Sequence, residues 1–279
     1  MKSIIFRSSF AWALLLASCG DEHQYFPDLS PISDVNPKVK FIHAASDTVG
    51  VNLFLGDKKI TGNAPSTITT FGAVNVGKVN IGTVTFQNAY PVTNYTTLES
   101  SLGVFSAVVP GAFNNTTTFV TKKLSSSTAP AMDASSFYTV ALVGTTPAYG
   151  IVVFKDDLNT APLDGNTYLR FANFIHNSVG NLTLRATPPA TTADPAPVAI
   201  TLFQNVAYKD MSGFVVLPRP GTYTNVQIFN STTNTTTSIS TLVAGSSSFT
   251  NNKVYTIFAR GRIGGTGVGA PGVSRIVNR

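Results

Sequence analysis

Lys38-Val39-Lys40-Phe41-Ile42-His43 and Tyr168-Leu169-Arg170-Phe171-Ala172-Asn173 carry one pattern, 130 residues apart. Val39 and Phe41, like Leu169 and Phe171, fall on one side of an alternating segment, while Lys40 and Arg170 fall on the other. Period-two alternation predicts a half-buried β-strand with a solvent face. Three further pairs follow in the same order. Val49-Gly50 and Asn52-Leu53-Phe54-Leu55 meet Val179-Gly180-Asn181-Leu182-Thr183-Leu184. Phe86-Gln87-Asn88 meets Phe203-Gln204-Asn205, and Phe137 through Gly144 meets Val254 through Gly261, each 117 residues on. Four anchors in one order predict an internal duplication.

The later anchors are strand-like as well. Tyr138, Val140 and Leu142 share a face, as do Tyr255, Ile257 and Ala259. Turn-rich clusters separate them: Pro110-Gly111, Asn114-Asn115, Pro188-Pro189 and Pro220-Gly221. No run of ten or more residues keeps helical spacing. The expectation is an all-β chain of two tandem antiparallel β-sandwiches, immunoglobulin-like or transthyretin-like. Their expected limits are 38–155 and 168–279, with 156–167 as linker and Val273–Val277 as the last strand behind the loop GGTGVGAPG.

Composition fits. Charged residues make up 11% of the 279, against about 25% in an average soluble domain. Thr, Ser and Asn take their place, suiting strand faces and turns. The net charge of +6 is scattered apart from Lys58-Lys59, Lys122-Lys123 and Arg260/Arg262. Without a dense basic stripe, no nucleic-acid partner is expected.

The opening of the chain combines Lys2 and Arg7 with an apolar stretch, Ser8–Ala17, that is too short to span a bilayer. Leu16-Ala17-Ser18-Cys19 follows and resembles the bacterial lipobox. The resemblance implies cleavage after residue 18, lipidation of Cys19 and a membrane partner reached through an N-terminal lipid. Cys19 is the single cysteine, so neither an intramolecular disulfide nor a cysteine-based zinc site is expected. Gly20, Asp21 and Glu22 resemble the surface-export signal of Bacteroidetes lipoproteins; a solvated linker start is the alternative. Residues 19–37 read as a tether. The implied address is the bacterial outer membrane, with its outer and periplasmic faces both open.

The opening Phe41-Ile42-His43-Ala44-Ala45-Ser46-Asp47, the Tyr-Thr-(Val/Ile) strand closed by Gly144 or Gly261, and Asp157-Leu158…Ala161-Pro162…Gly165…Leu169-Arg170-Phe171 resemble the bacterial domain of unknown function 4397. The resemblance implies a secreted β-sandwich and no enzymatic activity. It departs from the family at Asn173, where the first copy has His43, and in lacking a proline after Ser46.

Chemistry is sparse. His23, His43 and His176 have no metal-ligand spacing. Gly265-Thr266-Gly267-Val268-Gly269 is not followed by the helix a nucleotide loop needs. The chain is therefore expected to be non-enzymatic, without cofactor or metal. Candidate binding aromatics near predicted loops or strand edges are Tyr90, Tyr95, Tyr149, Tyr208 and Phe214, for a protein or glycan partner. Asp47-Thr48-Val49 resembles the O-glycosylation site of Bacteroidetes secreted proteins, which marks Thr48. The functional expectation is a binding or adhesion module; the alternative is a structural spacer or envelope assembly component.

Overall fold

The computed structural model describes residues 36–279, apart from 57, 63–73, 76–82, 110–117, 120–121, 179, 233–238 and 242–245. Val35–Arg279 form one compact unit. In its first half run β1 (Lys38–His43), β2 (Asn52–Leu55), β3 (Lys58–Lys59), β4 (Val74–Asn75), β5 (Ala89–Tyr90), β6 (Thr96–Thr97), β7 (Val104–Val109), β8 (Thr118–Phe119), β9 (Lys122–Thr128), β10 (Phe137–Thr145) and β11 (Ala148–Asp156). The second half holds β12 (Thr167–Asn173), β13 (Leu182–Thr187), β14 (Ile200–Val206), β15 (Asp210–Met211), β16 (Val215–Val216), β17 (Gly221–Asn230), β18 (Ser240–Thr241), β19 (Ser246–Phe249), β20 (Lys253–Arg260) and β21 (Gly272–Val277). The described residues contain no α-helix, only single 3₁₀ turns at Leu158–Thr160 and Gly267–Gly269.

Each half is a two-sheet sandwich. One sheet has the order β11-β10-β1 with β5 and β6 outermost, and its counterpart is β21-β20-β12 with β15 and β16 outermost. The facing sheets are β3-β2-β7-β9 and β14-β13-β17, the latter flanked by β18 and β19. Val39, Phe41, Leu53, Phe105, Val140 and Leu142 fill the first core. Leu169, Phe171, Leu182, Leu184, Ile228 and Ile257 fill the second. Apart from Phe105 and Ile228, these are alternating apolar positions of the repeat, which periodicity places inside.

The expectation of antiparallel sheets holds for all but one pairing per sandwich. β1 runs parallel to β10, Phe41 opposite Val140, and β12 runs parallel to β20, Phe171 opposite Ile257. The two copies also share their local devices. Tyr138 and Tyr255 accept hydrogen bonds from the amides of Asp133 (2.8 Å) and Thr250 (3.2 Å), each five residues upstream. Gly144, one residue before β10 ends, and Gly261, one residue beyond β20, both have positive φ (+93° and +92°); a Cβ there would lie 2.2 Å from Ala148 O or 2.3 Å from Ala270 O. Only glycine fits.

One anchor is misaligned. Phe203-Gln204-Asn205 lies on β14, whereas Phe86-Gln87 lies in the turn just before β5. Gln87 and Lys209 share positive φ (77° and 65°), and their amides donate to His43 O and Asn173 O respectively. The true counterpart of Phe86 is Tyr208, five residues beyond Phe203. Register shifts along the β13–β14 pairing separate sequence likeness from position here.

The solvent face expected for the repeat is also corrected. Lys40 is 0% exposed and Arg170 3% exposed. The outer faces of the two parallel-paired sheets meet, and Ile42, Ala141 and Val143 of one pack with Ala172, Phe174 and Phe258 of the other. β10 and β20 are thus buried on both faces, which explains their nearly unbroken apolar runs.

Candidate functional site

The junction between the sheets has a polar centre assembled from matching positions of the two copies. Lys40 and Arg170 occupy one repeat position. Thr139 and Thr256 lie directly opposite them in the parallel pairs. Asp156 sits opposite Phe137, and Asn278, whose amide donates to Val254 O at 2.7 Å, occupies the same place in the second copy. Tyr95 and Phe214 each immediately precede the short strand pairing with Val39 or Leu169.

Hydrogen bonds close this group. Arg170 Nη1 donates to Asp156 Oδ1 at 2.6 Å, Nη2 to Thr139 Oγ1 at 2.9 Å, and Nε to Thr256 Oγ1 at 2.8 Å. Thr139 and Tyr95 hydroxyls donate to Asp156 Oδ2 at 2.7 and 2.6 Å. Thr256 donates to Asn278 Oδ1 at 2.6 Å, and Asn278 Nδ2 donates to the Tyr95 oxygen at 2.8 Å. The cations also lie over the matching rings, Lys40 Nζ 5.5 Å from the Tyr95 centroid and Arg170 Cζ 4.4 Å from that of Phe214.

Burial works against the charge on Arg170, but Asp156 and Tyr95 beside it together more than offset this and raise its pKa. Burial, then the charge of Asp156, push the Tyr95 hydroxyl well above its usual range. Three donors engage the Asp156 carboxylate, one on Oδ1 and two on Oδ2. These hydrogen bonds tie the two sheets together through Arg170, Asp156, Tyr95 and Asn278.

Lys40 is the group left over. Its ammonium donates to Pro91 O at 2.8 Å. Burial lowers its pKa from 10.5 to about 7, Asp156 pulling back up and Arg170 pushing further down. A base whose folded pKa lies below its unfolded one weakens the fold at low pH: below the folded value the buried charge must be carried. Between about pH 7 and 10 the unfolded chain holds a proton that the folded one releases, so stability gains with pH there. Denaturation of the wild type and Lys40→Met across this window should show the wild type closing its deficit as pH rises. A pH-independent difference would refute the assignment.

At one end of each sandwich, the loop after the first strand is clasped to the hairpin after the penultimate one. Asp47 Oδ2 accepts the Thr146 amide at 2.8 Å and Asp47 Oδ1 accepts the Tyr149 hydroxyl at 2.8 Å. In the second copy Asn177 Oδ1 accepts the Ile263 amide at 3.1 Å. Partial burial works to raise the Asp47 pKa, but the hydrogen bonds it accepts outweigh this and hold the carboxyl below its usual value. Thr48 stands half-buried in the first loop, next to an exposed Val49.

Of the five sequence-chosen aromatics, Tyr95 and Phe214 come together, both packed against Leu158, Ala161, Tyr168 and Val254. Tyr95 and Phe214 are corrected from binding aromatics to junction residues, because each lies against a buried cation. Tyr90 packs on the first core, its hydroxyl 3.4 Å from Gly62 O. Tyr149 is engaged by Asp47. Tyr208 stands edge-on to His176, with its hydroxyl 3.3 Å from Nδ1. Cys19, Gly20, Asp21 and Glu22 lie outside the described residues. A cleft of about 140 Å³ beside β3 and β6, lined by Lys58, Lys59 and Glu99 among others, is well below the ~300 Å³ usual for a small-molecule pocket. Among the described residues no three His, Cys, Asp or Glu side chains gather as metal ligands.

Sequence reasoning passed over Asp156, which was placed in the linker, and Arg260. A usable signal existed for the first group: a threonine in the middle of an apolar strand, repeated 117 residues later at Thr256.

No family model matches the chain, and no curated protein matches it. Among solved structures, a Bacteroides uniformis chain described as a "putative cell adhesion protein" is similar, with 10% identity over 88% of this chain and 98% of that one. Its TM-score is 0.20, too loose a likeness to carry an argument.

Proposed function

We propose that the chain is a non-catalytic, lipid-anchored binding or adhesion module of the bacterial cell envelope, built from two copies of a domain resembling the domain of unknown function 4397. The observation that carries this reading is the clasped loop end. Asp47 and Asn177 fix corresponding loops in both copies, and the same loops and hairpins expose Val49 (68%), Ile263 (38%) and Val268 (73%). A Cβ at Gly269 would lie 3.8 Å from Ser46 O, so the second hairpin adjoins the first loop. Apolar side chains held in the open by a fixed scaffold suit a protein or glycan surface.

The test uses cells displaying the full chain. Val49→Asp with Val268→Asp should lower adhesion to immobilised extracellular protein or glycan by roughly tenfold, about 1.4 kcal/mol, without changing thermal stability. Unchanged adhesion would overturn the loop end as the binding surface. It would leave the spacer reading, which the saturated junction favours because it locks the two sandwiches together. In a parallel fractionation, Cys19→Ala should move the protein from membrane to soluble fraction. Retention on the membrane would refute the lipid anchor.

A further inference from the structure

The duplication supplies an internal control, because whatever both copies keep is enough for the fold. Three departures between the copies converge at one place, where β20 ends. Arg260 replaces the Val143 of the first copy, 117 residues before it. The hairpin turn beyond Val143 joins β10 to β11 directly, from Thr145 to Ala148, while Arg260 and Gly272 are joined by the glycine-rich residues 261–271. The aromatic of the preceding turn is Phe86 in the first copy and Tyr208 in the second.

Arg260 is 4% exposed. Its guanidinium lies between Phe86 of the other sandwich, with Cζ 5.2 Å from the ring centroid, and the backbone of Gly272, where a Cβ would stand 2.5 Å from Nη1 and 2.8 Å from Nη2. Glycine at 272 is what makes room for it. Nε donates to Ser274 Oγ at 2.9 Å; among the described residues neither Nη atom has a hydrogen-bond partner and no carboxylate pairs with the side chain. Burial without a counter-charge lowers its pKa. A second polar group in the same position touches the same ring: His43 stands edge-on to Phe86 at 5.9 Å, and its buried Nδ1 has no partner. The counterpart Asn173 is satisfied, donating to Val206 O at 3.1 Å and accepting from the Ile175 amide at 3.2 Å.

A largely buried cation without a counter-charge costs stability that an apolar side chain would not, and the Val143 of the first copy shows that the scaffold accepts one. The opposite flank of the junction places a cation at the matching glycine by another route: Lys209 Nζ lies 5.3 Å from the Tyr208 centroid and 3.4 Å from a Cβ built on Gly150. The two flanks of the junction thus reach the same cation–aromatic–glycine arrangement with different residues. We propose that Arg260, stacked between Phe86 and Gly272 at the base of the 261–271 loop, is the anchor of a binding site for a small carboxylate ligand, whose two oxygens match the paired Nη donors. The site deepens the binding-module reading and fails separately from it, since the adhesion test above touches neither Arg260 nor Phe86.

The experiment is a thermal-unfolding titration of the full chain with glucuronate at constant ionic strength, with glucose as the neutral control and sulfate as the non-carboxylate anion. The wild type should show a saturable rise in Tm with glucuronate alone. Arg260→Val, which restores the residue of the sister copy, should be as stable as wild type or more so without ligand, and lose the response. Arg260→Lys should respond with a midpoint at least about tenfold higher, having charge but no flat fork. Arg262→Ser, removing an exposed neighbouring charge, should respond as wild type. Equal responses in wild type and Arg260→Val, no response in wild type, or a response to sulfate matching that to glucuronate would each overturn the proposal.

Discussion

Asp156→Asn should lower the unfolding free energy by about 3–5 kcal/mol, measured by equilibrium denaturation at pH 7. The side chain is isosteric, and Asn278 already occupies the matching place in the second copy, so the loss is not steric. Removing the carboxylate leaves Arg170 and Lys40, 3% and 0% exposed, with no negative charge between them, and sets an amide NH₂ or a neutral oxygen against the donors of Thr139 and Tyr95. The coupling is the sharper measurement. Arg170→Met alone strands Asp156, but Asp156→Asn with Arg170→Met removes both partners of the ion pair. The double variant should therefore be more stable than the sum of the single losses predicts, by at least about 1 kcal/mol. Strict additivity would show that the two groups do not act on each other.

Phe174→Ala should cost about 3–5 kcal/mol by the same measurement. Phe174 is 0% exposed and lies between Phe154 of the first sandwich and Phe258 of its own, with both centroids 6.2 Å away. Its removal opens a cavity in the apolar layer joining the two sheets, where neither side can collapse without shifting a paired strand. A loss below about 1 kcal/mol would mean that the sandwiches are stable separately and the layer adds little. The expected companion result is a broadened or divided transition, because the junction is what couples the two halves.

How much of this was legible in the sequence follows from what period-two alternation can report. It identified Val39, Phe41, Leu169 and Phe171 as core, because apolar side chains at every second position need one dry face. It could not tell whether the other face meets water or a second protein layer, and Lys40 and Arg170 argued for water. Both are buried because the duplication brings each against the other's sheet, where one carboxylate and two threonines meet them. Asp156 was read as linker because a charged pair, Asp156-Asp157, followed an apolar run; in the structure the strand ends one residue into that pair. The parallel pairing of the first strand with the penultimate one left no trace, since alternation is the same in either direction. Phe203 was mistaken for the partner of Phe86 because the motif matched while the bulged β14 carried it off position. The clasp of Asp47, repeated by Asn177, was also invisible: it joins residues 99 apart, Asp47 and Thr146.

The placement of β1 has a mechanical consequence. Its six residues pair along their length with β10, and β5 and β6 flank its other edge. A pull arriving through the segment before Lys38 acts along this strand. It loads the parallel ladder in shear, so several bonds must break together instead of peeling one after another. Were the chain held at that end and gripped at its far loops, tension would enter at this parallel seam.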